Sequence, residues 1–275
     1  LIIFNLGVEV MNDINSRELG LFEMLAMGFD IFKKNYRVFF TITLIIGIPV
    51  SIILAFAGRI IVNSISSGDV MSILYNEELF NNLVNSGQIK NILIAYVVML
   101  VMQALFLPLV TMAVADATGD YLKNEAASAK KSILNSVSKG TVFIAAAIIN
   151  LVLCLVGSMF FVIPGLIFTV WFYFFTYEII YNNSGVIESL ARSKALIKGS
   201  FLKMAVYVLF LNILSVMIDN FVSLILGFLT YLAAGEVFVR TIMIFGETYV
   251  VCVASILYLN RKAMVDKYNG ESDIL

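Results

Sequence analysis

Glu247 is the residue best placed to do chemistry in this chain of 275 residues. It stands in an apolar run about nine residues inside the helix expected over 238–260, which is roughly 13 Å along the helix axis. A carboxylate at that depth in hydrocarbon is costly; it marks an ion or substrate pathway, or else a structural pair. Gln103, Asn150 and Asn212 fall at similar depths on three other expected helices. Four polar positions on four helices would line a cavity or a proton path. The competing reading is that such amides tie helices together by hydrogen bonds worth about 0.6 to 2 kcal/mol each. Arg240 lies seven residues before Glu247 on the same helix face, about two turns away and too far for a simple contact.

Other chemistry is excluded by composition. There is no histidine, which removes the commonest general acid–base group and the commonest metal ligand. Cys154 and Cys252 sit in apolar runs on different expected helices, which suits small packed thiols and neither a disulfide nor a metal pair. No Gly-x-x-x-x-Gly-Lys-Ser/Thr loop occurs, so any ATP dependence would come from a separate ATPase. No catalytic, cofactor or metal site is expected. A net charge of −1 with no separate basic domain argues against a nucleic-acid partner.

The elements that must hold these residues are membrane helices. The chain is 61% hydrophobic and only 13% charged, with a mean hydropathy of +0.97. A soluble domain is about a quarter charged, so lipid must cover this much apolar surface. Each span needs about 20 apolar residues. Six are expected, over 38–57, 91–116, 141–162, 165–181, 201–219 and 238–260. Ile163-Pro164-Gly165 reads as a tight turn between the third and fourth. Pro49 and Pro108 should kink the first and second. Residues 221–234 are apolar but too short to cross alone; they extend helix five or re-enter from the outer side.

Lysine and arginine orient the bundle. With the N-terminus inside, Arg17, Lys33, Lys34, Arg37 and eleven more basic residues fall on cytoplasmic segments, and Arg59, Lys90 and Arg240 fall outside. Both termini are therefore expected in the cytoplasm. Three segments preceding spans one, three and five pair an apolar face with a basic one, as helices lying on the inner leaflet do. They are Leu19–Tyr36, with Phe22, Leu25, Phe29, Phe32 and Tyr36 at helical spacing, then Ala126–Ser138 and Val186–Ile197. The first and third align at an offset of 165, with Glu23 on Glu188, Leu25-Ala26 on Leu190-Ala191 and Lys33 on Lys198. The middle one shares Lys139-Gly140-Thr141 with Lys198-Gly199-Ser200. The expected architecture is thus an all-α bundle of three hairpins over 17–267, each with a cytoplasmic amphipathic helix before it. Residues 1–16 and 268–275 are expected to be tails, with the native start at Met11. The outer loop Gly58–Lys90 has room for a short helical cap over Asp69–Ser86.

Lys33, Lys34, Lys130, Lys131, Arg192 and Lys198 on these amphipathic segments are candidate contacts for anionic lipid headgroups, at about 1 kcal/mol each. Simple topology determination by positive charge explains them equally. Asp116, Glu178 and Asp219 lie nearer the span ends, where Asp116 and Glu178 are expected in interfacial ion pairs.

The run Ile163-Pro164-Gly165, the short aromatic span ending near Glu178, Glu188-Ser-Leu-Ala-Arg-Ser193, Lys198-Gly199 and the closing Leu257-Tyr258-Leu259-Asn260-Arg261 carry a resemblance. They resemble the membrane domain of bacterial glycerophosphoryl diester phosphodiesterases, over about Arg17 to Lys267. The resemblance implies a six-span bundle with amphipathic connectors in a bacterial cytoplasmic membrane. It does not imply the phosphodiesterase activity, which in that family belongs to a soluble barrel using histidines and metal-binding carboxylates. The expected function is non-catalytic: binding or organising lipids or a partner protein. A transporter or permease-like component built on Glu247 is the alternative, and self-protection against a membrane-active peptide is another.

Overall fold

The computed structural model describes residues 4–65, 78, 81, 85–160 and 162–272, and among them there is no strand. The helices are α1 (Phe4–Ser16), α2 (Leu21–Ile42), α3 (Ile48–Ile65), α4 (Gln88–Val101), α5 (Leu107–Leu122), α6 (Ala129–Ser138) and α7 (Gly140–Phe160). They continue with α8 (Val162–Trp171), α9 (Phe175–Asn182), α10 (Val186–Ile197), α11 (Phe201–Leu226) and α12 (Ala233–Ser272). Six stretches are long and apolar enough to cross a membrane: Leu21–Ser64, Gln88–Leu122, Gly140–Met159, Ile163–Asn182, Phe201–Tyr231 and Ala233–Tyr268. The helical cap expected over Asp69–Ser86 falls for the most part outside the described residues.

Several boundaries differ from those expected, for local reasons. The first amphipathic segment and the first span form one helical run, because Lys33, Lys34 and Arg37 occupy only one face and leave the backbone free to continue. The prolines produce π-bulges: Thr43–Gly47 ends two residues before Pro49 and Met102–Phe106 two residues before Pro108. Proline lacks an N–H and crowds the carbonyl four residues back, and a widened turn relieves both problems. Pro164 and Gly165 are not the turn expected; they lie in the first turn of α8, where proline is tolerated. Gly165 serves packing instead, since a Cβ there would sit 2.0 Å from Ser158 Oγ. The apolar stretch after span five extends that helix to Leu226 and closes with a 3₁₀ turn, Gly227–Tyr231. Residues 4–16, expected as tail, form α1, with Val10 and Ile14 buried against the bundle.

α12 is the axis. It runs antiparallel to α2–α3 over their whole length. Asn260 Oδ1 accepts from Leu19 N–H at 3.1 Å, the Tyr249 hydroxyl donates to Leu25 O at 3.2 Å, Thr241 meets Ser51 at 3.4 Å, and Glu236 meets Arg59 at 3.3 Å. Gly28 lets the two helices touch: a Cβ there would lie 2.5 Å from Val253 Cγ2 and 3.3 Å from the Val253 backbone.

The amphipathic helices share a placement. α6 packs on α5 and α10 on α9, the helix before each in the chain; α2 packs on α12, as though the chain were closed into a ring. The aligned carboxylates share a role too. Glu23 accepts Gly20 N–H at 2.8 Å and Glu188 accepts Gly185 N–H at 3.1 Å, so both hold the first turn of their helix. The bases of the helices gather at one end of the molecule, the basic end. Arg261 donates to Leu196 O at 2.7 Å, Lys139 to Ile180 O at 2.8 Å, and Lys203 pairs with Glu18 at 2.7 Å.

Candidate functional site

Away from the basic end, the helices leave two adjoining cavities, of about 520 Å³ and about 350 Å³. Each wall follows from helical spacing. On α11, Asn212, Ser215 and Asp219 recur at intervals of three and four and share a face. On α12, Arg240, Ile244, Glu247 and Val251 do the same. α7 contributes Asn150 and Cys154 to the larger cavity, and the π-bulge before α5 contributes Gln103 to the smaller. Glu247, Thr111 and Val251 line both, so Glu247 stands at the junction. The four polar residues picked out from sequence therefore meet at one cavity system: Asn150 and Asn212 in the larger, Gln103 in the smaller, Glu247 in both.

The hydrogen bonds of the amides stay within single helices. Asn212 donates to Val208 O at 2.7 Å, within its own helix. Asn150 Oδ1 faces Cys154 Sγ at 3.5 Å, again within one helix. Gln103 makes no hydrogen bond among the described residues. Among the described residues, none of the three amide side chains bonds one helix to another. The cross-helix bond here comes from Ser215, whose hydroxyl donates to Glu247 Oε1. Asp219 also lines the smaller cavity, and its Oδ1 is sealed from solvent with no hydrogen-bond partner among the described residues. Arg240 enters the same cavity but is held at 3.1 Å by Glu236, which also holds Arg59 at 3.3 Å.

The ion pairs expected for Asp116 and Glu178 are not formed. Asp116 accepts from Asn135 Nδ2 at 2.5 Å, while Asp120 takes the nearby lysine, Lys131, at 2.9 Å. Glu178 is only 2% exposed. It accepts from Tyr258 at 2.9 Å and from Asn182 Nδ2 at 2.7 Å, and Lys262 reaches only Asn182 Oδ1. Neutral donors satisfy this buried carboxylate without the cost of burying a second charge. Asn260 is a second residue that sequence reasoning passed over. Its Nδ2 donates to Ile14 O at 2.7 Å and Arg17 O at 2.8 Å, fastening α1 to α12. The signal available was weak: a polar residue closing an apolar run directly before Arg261 and Lys262, where a span end is expected.

The six candidate headgroup contacts are all exposed. Lys131 is held by Asp120 and Glu125, whose hydrogen bonds raise its pKa, and Arg192 by Glu188 at 2.7 Å. Lys33, Lys34, Lys130 and Lys198 have no side-chain hydrogen bond or ion pair among the described residues. Beside Lys33, the exposed face of α2 carries Phe22, Phe29 and Tyr36 at seven-residue intervals. Leu25 and Phe32, expected on that same face, pack instead against the core. Both cysteines are free; Cys252 is buried and Cys154 lines the larger cavity. Among the described residues, no group of three or more His, Cys, Asp or Glu could hold a metal ion. Compared with known protein families, curated proteins and solved structures, the chain matches none.

Proposed function

We propose that this chain is a non-catalytic membrane protein that binds a small, largely apolar ligand in the cavities around Glu247, and acts as a carrier or permease-like component. The proposal includes the topology: three hairpins with the basic end and both termini in the cytoplasm of a bacterial cell. One observation carries it. Polar residues from four different helices converge on adjoining cavities while, among the described residues, none of the three amides bonds one helix to another. A mostly apolar pocket of 300–1,000 Å³ with a few convergent polar groups is the usual form of a small-molecule site. The absence of histidine and of a nucleotide loop favours binding over catalysis and leaves any energy input to an ion gradient or a partner ATPase.

Cys154 provides the test. It lines the larger cavity, whereas Val156 on the same helix is exposed on the outer surface. In membrane vesicles, Cys154 is expected to react with a small water-soluble thiosulfonate. A Val156→Cys variant in a Cys154→Ala background should react only with a lipid-soluble maleimide. A silent Cys154, or equal labelling at both positions, would remove the cavity from the mechanism.

A second reading has its own support. The exposed Phe22, Phe29 and Tyr36 stripe, with Lys33 beside it, suits a leaflet rich in anionic lipid. Native mass spectrometry of retained lipids tests it; equal retention of anionic and zwitterionic lipids would count against it.

A further inference from the structure

We infer that the ligand is an organic monocation with an apolar body, its head between Asp219 and Glu247 and its body in the larger cavity. This rests on the reading of the cavities as a binding site and names the class of molecule that fits. The argument is one of charge and of unmet hydrogen bonds. Three carboxylates meet around the smaller cavity and its outer rim: Asp219 and Glu247 in its wall, and Glu236 behind Arg240. Two guanidinium groups face them, Arg240 and Arg59, and both are spent on Glu236. The five groups sum to one net negative charge, and neither Asp219 nor Glu247 has an ion-pair partner among the described residues. Inside a low-dielectric bundle an unpaired carboxylate is costly, so the site takes up one positive charge.

The chemistry of that charge follows from the acceptors. Asp219 Oδ1 has no donor among the described residues, and Ser215 donates to just one of the two Glu247 oxygens. A compact metal ion needs more ligands than these two carboxylates supply, and no group of three is present among the described residues. An ammonium or guanidinium group brings its own N–H donors and needs only two acceptors. The adjoining cavity of about 520 Å³ is walled by Phe143, Phe175, Tyr173 and Tyr177, among others. Such a wall favours an apolar body and stacks well against a cation's neighbouring carbons.

Protection of Cys154 from the thiosulfonate reads occupancy directly. The probes are 4-phenylbutylammonium and its neutral isostere 4-phenylbutan-1-ol, applied to the full chain in membrane vesicles. The ammonium is expected to protect at a concentration about tenfold or more below that of the alcohol. In Glu247→Gln and in Asp219→Asn, each checked for wild-type gel-filtration behaviour, that preference should fall towards one. Equal protection by both probes in the unmodified chain would show that a proton balances the charge and would overturn the monocation. So would a preference that survives both substitutions. Failure of both probes to protect a Cys154 that still reacts overturns the ligand class but leaves a water-accessible cavity. A Cys154 that never reacts overturns the cavity reading as well.

Discussion

The basic end and the cavity region are built on the same helix, α12, and treat the carboxylates of Glu178 and Glu247 in opposite ways. Towards the basic end, Tyr258 and Asn260 are buried and hydrogen-bonded to partners 76 or more residues away in sequence. Towards the cavities, Glu247 has one hydroxyl donor, the amides are satisfied within their own helices or not at all, and Asp219 keeps a buried oxygen unpaired. Packing follows the same division. Along α12, nine of residues 251–260 are buried, against three of residues 241–250. Every polar group at the basic end that finds a partner adds to cohesion; every one at the cavities that does not is available to something else. Stability is concentrated at one end, and room is left at the other.

The comparison breaks most easily at Gly28. A leucine there must displace Val253, whose backbone stands 3.3 Å from the position of a Cβ, so the helix itself would have to move. Gly28→Leu is expected to cost about 3 kcal/mol, or roughly 6 to 12 °C in the detergent melting temperature of a chain of this size. Gly185→Ala, at a position with open space around it, should melt close to wild type. If the two variants melt alike, the basic end is not where cohesion resides.

Tyr258→Phe is the next largest. It removes the hydroxyl that donates to Glu178 Oε1 and accepts from Asn182 Nδ2, leaving a buried carboxylate short of a donor. A loss of about 1 to 3 kcal/mol is expected from the melting curve. A loss of less than half a kcal/mol would mean that Asn182 and Ser184 satisfy Glu178 without help.

Lys139 sharpens the comparison by pH. Its ammonium donates to Ile180 O, and burial lowers its pKa from the usual lysine value of 10.5, against the opposing pull of Asp116. The charged form is therefore disfavoured in the fold. That penalty is complete below the folded pKa and fades as pH rises from there towards 10.5. The contribution of Lys139 to stability should thus rise with pH on the alkaline side, and Lys139→Met should flatten that slope by a fraction of a kcal/mol. Melting curves between roughly pH 8 and 10 would show it; identical slopes in the two chains would exclude it.

How much of this was legible in the sequence depends on whether the signal was local. Runs of about 20 apolar residues announce helices without reference to anything else, and six such helices lie among the described residues. Glu247, Gln103, Asn150 and Asn212 stand out in the same way, since each is a polar break in an apolar run. Partners are not local. Nothing near Glu178 announces Tyr258, and nothing near Arg17 announces Asn260, because periodicity gives the face of a helix and not what covers it. Asp219 shows the same limit: it looked like a residue near a span end until α11 was seen to turn it into the smaller cavity. The continuous α2–α3 helix is not legible locally, because three basic residues resemble a membrane boundary even when they share one face.

The smallest expected effect on stability is at Glu247, and its smallness is the point. Glutamine keeps the shape and keeps an oxygen to accept from Ser215, while it removes a charge that the fold does not pair. Glu247→Gln should leave the melting temperature unchanged or slightly raised, within about 0.5 kcal/mol of wild type. Glu178→Gln is its counterpart at the basic end. There the substitution replaces an acceptor oxygen with an NH₂ group where Tyr258 or Asn182 already presents a donor, so melting should fall by about 1 kcal/mol or more. A chain in which both carboxylates prove equally dispensable, or equally costly to replace, would have no division of labour along α12. Unequal costs, with the charge at Glu247 free to be removed, would mean that the fold tolerates this carboxylate and something other than the fold requires it.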